Sequence, residues 1–68
     1  MKLSDWLHDE QMTYTDAARL FGCSRPAVYY YATGRMRPGP QFTENIKQQT
    51  GGQVTADDHQ IAYMAARS

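Results

Sequence analysis

The sequence has a single cysteine, Cys23, no long apolar run and no net charge. One thiol excludes an intramolecular disulfide framework and suits a reducing cytosol. With no apolar stretch long enough to span a bilayer and no leader pattern, we expect neither membrane insertion nor export. Length is scarce too. The 68 residues hold one domain at most, which we take as 1–68. A chain this short buries only about 60% of the surface its unfolded form exposes, so association with a second copy would add stability. Clusters that carry chemistry are also missing. His8 and His59 are far apart, have no cysteines nearby, and each reads as a surface residue rather than a metal ligand. No Ser/His/Asp or Cys/His arrangement and no Gly-rich phosphate cradle stands out. Asp57 and Asp58 suit a helix N-terminus better than a catalytic pair. We expect no enzyme, no metal, no cofactor and no small-molecule ligand.

What is present is patterned. The seven acidic residues are Asp5, Asp9, Glu10, Asp16, Glu44, Asp57 and Asp58. None falls between Asp16 and Glu44, whereas Arg19, Arg25, Arg35 and Arg37 all do. A basic island between acidic ends can attract a polyanion although the whole molecule is neutral.

Helical spacing of Leu3, Trp6 and Leu7 predicts a first helix over 3 to about 10, with Trp6 in the core and its indole N–H at an edge. Thr13-Tyr14-Thr15-Asp16 reads as a capping box opening a second helix, which carries Ala17, Ala18, Leu20 and Phe21 and stops at Gly22. Ser24 caps a third helix over about 25–32, with Pro26 in its first turn and Gly34 at its end. After a loop through Arg35 to Gly39, Pro40 opens a fourth helix with Phe42 and Ile46 inward, ending before Gly51-Gly52. Thr55 to Asp58 reads as a further capping box, and Ile61, Met64 and Ala65 give a stripe for a fifth helix over 56–66. An extended segment or hairpin around Gln53 to Thr55 competes with that last helix. The fold class expected is all-α, with five helices.

The second and third helices, joined by Gly-Cys-Ser, suggest helix-turn-helix geometry. Ala18 allows close approach, Gly22 the tight turn and Val28 the core contact, while Cys23 fills the turn as a small buried thiol. Tyr29, Tyr30 and Tyr31 then follow in a row. A helix turns about 100° per residue, so they cannot share a face. Val28, Tyr31 and Ala32 make an inward set; Arg25, Tyr29 and Thr33, with Pro26 and Tyr30, make an outward one. On that outward face tyrosines can bond phosphates or base edges and meet thymine methyls, and Arg25 can bind a guanine in bidentate fashion. Tyrosine is also enriched at protein–protein surfaces, so a protein partner is the competing reading.

Residues 12–38, MTYTDAARLFGCSRPAVYYYATGRMRP, resemble the helix-turn-helix of the Cro and CI repressor superfamily, and TGGQVTADD, residues 50–58, is similar to the segment after the fourth helix in small prophage Cro-like regulators. The resemblance implies a compact lambda-repressor-like domain. Its base-reading positions fall on Ser24, Arg25, Pro26, Tyr29, Tyr30 and Thr33, and its phosphate-binding positions on Thr13, Tyr14, Arg35 and Arg37. Tyr14 stands where the family often has glutamine, and Pro26 can offer a base only apolar contact. The family implies repression by a dimer on a pseudo-palindromic operator in double-stranded DNA, in the bacterial cytoplasm and on the nucleoid when bound. The recognition helix would enter the major groove, with half-sites about 34 Å apart. We place the dimer surface near Val54, Ile61 and Met64, and expect the monomer to pair only weakly without DNA. An activator or antitoxin-like regulator would use the same fold. A protein-interaction module would turn the tyrosine face to a protein partner.

Overall fold

Five helices fold around one core in the computed structural model, which describes residues 1–67: α1 (Leu3–Asp9), α2 (Tyr14–Phe21), α3 (Arg25–Thr33), α4 (Pro40–Gln49) and α5 (Ala56–Ala66). No strand occurs among the described residues, so the segment before α5 is not a hairpin. The radius of gyration is 10.5 Å, against about 11 Å for a compact chain of this length.

Local chemistry sets the boundaries. The Thr13 side chain accepts from the Asp16 N–H at 3.1 Å, opening α2. The reciprocal bond, from the Thr13 N–H to the Asp16 carboxylate, is not made among the described residues, so only half of the expected box forms there. Gly22, at φ 74°, closes α2. Its N–H and that of Cys23 both donate to the Ala18 carbonyl, at 2.9 and 3.0 Å. Ser24 Oγ accepts from the Ala27 N–H at 3.3 Å. Ser24→Ala is expected to cost about 1 kcal/mol of stability, read from the urea midpoint. At α5 the box is complete: Asp58 Oδ2 accepts from the Thr55 N–H at 2.8 Å and from its hydroxyl at 3.0 Å.

α3 lies at the centre and packs against α1, α2 and α5. Its inward residues Val28, Tyr31 and Ala32 join Leu3, Trp6, Leu7, Ala17, Ala18 and Phe21 from the two preceding helices. Ile46 adds the α4 contribution, and Asn45 Nδ2 donates to the Phe21 carbonyl at 2.6 Å, tying α4 to the end of α2. Buried Thr50 Oγ1 donates to the Ile46 carbonyl at 2.8 Å and accepts from the Val54 N–H at 3.1 Å, turning the chain after α4.

Several positions differ from the sequence expectation. Val54 is fully buried rather than part of a dimer surface, because the turn from Thr50 points it into the core. Trp6 Nε1 is buried without a partner instead of reaching an edge. Leu20 is exposed. In α5 the expected stripe is rotated: Ile61 and Met64 are exposed, while His59 is buried and Ala62 and Tyr63 are half-buried. The inward face is the one through which α5 approaches α3, with the Ala62 carbonyl against Gly34, rather than the one carrying Ile61 and Met64.

His59 is therefore a core residue, with Nε2 unpartnered. Burial pushes its pKa below the ordinary 6.5, with the neighbouring Asp58 carboxylate opposing more weakly. The fold holds the neutral form. The unfolded chain takes up a proton near pH 6.5, so His59 leaves stability intact above that pH and lowers it as pH falls towards the folded pKa. The melting midpoint is expected to decline below about pH 6.5, and His59→Gln to flatten that decline. Asp58 acts in a lower window. Burial raises its pKa, but the Thr55 bonds and the Met1 amine, 3.0 Å away, bring it below 3.8 overall, so its contribution is lost only below that pH.

Candidate nucleic-acid interface

The three consecutive tyrosines divide as helical geometry requires. Tyr31 is 7% exposed and packs towards Phe42, with ring centroids 6.5 Å apart, whereas Tyr29 and Tyr30 are 38% and 39% exposed. Tyr30 lies 5.7 Å from Tyr29, and Tyr29 meets Tyr14 edge-on at 5.9 Å. The Arg35 guanidinium sits 5.8 Å from the Tyr29 ring centroid. Tyr14, from the start of α2, thus joins the outer face of α3 through aromatic packing.

Three hollows along this face share lining residues. One of about 350 Å³ is lined by Tyr14, Arg25, Pro26, Tyr29 and Tyr30. A second, of about 650 Å³, shares Tyr14 and Arg25 and adds Thr13 and Thr15 with residues of α1, including His8. The third, of about 680 Å³, shares Tyr29 and Tyr30 and adds Thr33, Arg35, Met36, Ala66 and Arg67. No carboxylate lines any of the three. Hollows elsewhere include Glu44 or Asp57. Of the basic island of the sequence, Arg25 and Arg35 line these hollows.

Most expected site residues meet here: Thr13, Tyr14, Arg25, Pro26, Tyr29, Tyr30, Thr33 and Arg35. Ser24 is exposed, but its oxygen already serves as the α3 cap. The Thr33 hydroxyl donates to the Tyr29 carbonyl at 2.7 Å, so towards a base it has only acceptor capacity. Arg37 is drawn away. It donates to Gln60 Oε1 at 2.8 Å and lies 4.7 Å from the Tyr63 ring centroid. Sequence reasoning missed Arg67, which reaches this face from the end of α5. Gly34 was its only signal, and it reads locally as a helix stop.

Two further features bear on chemistry. Arg25 occupies the first position of α3, with no acidic residue in that turn. A cation there opposes the positive end of the helix dipole, so the local field favours an incoming anion. Burial pushes the Cys23 thiol above its ordinary 9.0, keeping it protonated and a poor nucleophile. No group of His, Cys, Asp and Glu able to hold a metal ion occurs among the described residues. No helix among them is long and apolar enough to cross a membrane. Comparison with protein-family models, curated proteins and solved structures found no match to this chain.

Proposed function

We propose that the protein is a sequence-specific transcriptional repressor of the Cro type that binds double-stranded DNA through a helix-turn-helix formed by α2 and α3. The observation that carries this reading is the set of adjoining hollows around Arg25, Tyr29 and Tyr30, whose linings share residues and include no carboxylate. A helix with its side chains is about 10–12 Å across, which matches a major groove about 12 Å wide. Arg25, Tyr29 and Tyr30 supply base contacts, with Pro26 and Thr33 limited to apolar and acceptor contacts. Thr13, Tyr14 and Arg35 grip phosphates on either side and set register. Two copies bind a pseudo-palindromic operator, the second adding avidity that one small neutral domain lacks. Ile61 and Met64, both more than half exposed on α5, are the surface for pairing. Occupying a promoter in this way blocks transcription.

Fluorescence anisotropy with a labelled duplex at increasing salt tests the polyanion part. Log affinity is expected to fall linearly with log salt, by about 0.9 for each phosphate neutralised. Affinity for duplex that is absent or insensitive to salt contradicts the reading and turns the tyrosine face towards a protein partner.

A further inference from the structure

We propose that Arg67, at the end of α5, is a phosphate-binding residue of the same face and forms a clamp with Arg35 beside the C-terminal end of α3. This rests on the DNA-binding reading above. Three observations carry it.

The first is position. Arg67 and Ala66 line one cleft together with Tyr29, Tyr30, Thr33 and Arg35, and no carboxylate lies in its wall. The end of α3 is where a recognition helix leaves the bases for the sugar–phosphate edge, so cations there meet phosphate rather than bases.

The second is how α5 is held there. Gly34 has φ 78°, and a Cβ on it would run into the Ala62 carbonyl oxygen and lie 3.2 Å from Ala66 Cβ. The two backbones are in direct contact, which fixes the last turn of α5 against the end of α3. Arg67, the C-cap residue of α5, is carried to the cleft by that contact.

The third is the state of the guanidinium. Arg67 lies 3.8 Å from the Tyr63 ring centroid, and Arg37 lies 4.7 Å from the same centroid. Neither pairs with a carboxylate among the described residues. Arg37 spends a donor on Gln60, whereas Arg67 makes its hydrogen bond through the backbone, its N–H donating to the Met64 carbonyl at 3.1 Å. Stacking on a ring orients a guanidinium and leaves its N–H donors for a planar, bidentate acceptor such as phosphate. Two cations sharing one ring also gain from an anion that offsets their mutual repulsion.

The test uses anisotropy with a short mixed-sequence duplex over a series of salt concentrations, on wild type, Arg67→Gln and Arg67→Lys, with circular dichroism to verify folding. Arg67→Gln is expected to bind about tenfold more weakly at low salt and to flatten the log–log salt slope by about one per protomer. Arg67→Lys is expected to keep the slope. Unchanged affinity and slope in Arg67→Gln, with wild type binding steeply, overturns this proposal alone. Weaker binding with an unchanged slope also overturns it, because the loss would not be that of a phosphate contact. Wild type that binds no duplex overturns both this inference and the function on which it rests.

Discussion

Gly34→Ala is expected to destabilise the protein by about 3 kcal/mol or more, the sum of a strained backbone and an overfilled contact. The residue sits at φ 78°, where a side chain is disfavoured by about 1–2 kcal/mol. Its new methyl would also meet the Ala62 carbonyl and Ala66 Cβ, which belong to a packed helix and cannot yield as a flexible side chain would. A domain of this length has a total stability of only about 3–10 kcal/mol, so much of the population would lose α5 or unfold. Gly22→Ala is the control. Its φ is 74°, but a Cβ there has nothing within 4 Å, so it carries the backbone cost alone. Urea denaturation followed by circular dichroism measures the difference. A Gly34→Ala midpoint equal to that of Gly22→Ala would mean that α5 is not seated on α3 as described.

Arg25→Ala is expected to weaken binding to the preferred duplex by about 1–3 kcal/mol and to relax preference at one base pair, without loss of stability. The two effects separate because of where Arg25 lies. It is exposed, pairs with no carboxylate among the described residues, and stands at the N-terminus of α3, where its charge opposes the helix dipole. Removing it is expected to leave the melting midpoint unchanged or slightly raised. Affinities for duplexes varied at each position, together with a thermal melt, measure both. A uniform loss across all sequences would reassign Arg25 to a phosphate. A fall in melting midpoint would give it a structural role.

The helices were legible in the sequence because their determinants are local. Thr13, Ser24 and Thr55 mark the starts of α2, α3 and α5, and Pro40 that of α4, while Gly22 and Gly34 mark the ends of α2 and α3. Helical spacing also separated Tyr31 from Tyr29 and Tyr30. What stayed hidden depends on where distant segments meet. Val54 became core because Thr50 turns it inward, and His59 because α5 approaches α3 through Ala62 instead of through its larger apolar residues. A stripe of Ile61 and Met64 says that a helix has an apolar side, not that this side faces the core. Arg67 joined the candidate site by the same long-range placement, whereas Arg37, nearer in sequence, was drawn off by its hydrogen bond to Gln60. Most of the candidate site was readable because α2, the turn and α3 are contiguous, and its spread to α5 was not.

Selection of binding sites from a random duplex library by the purified protein at low salt tests the central claim most directly. A short inverted repeat with fixed spacing is expected to be enriched, its half-sites about 10 base pairs apart centre to centre. A folded protein that enriches no duplex sequence would contradict that claim.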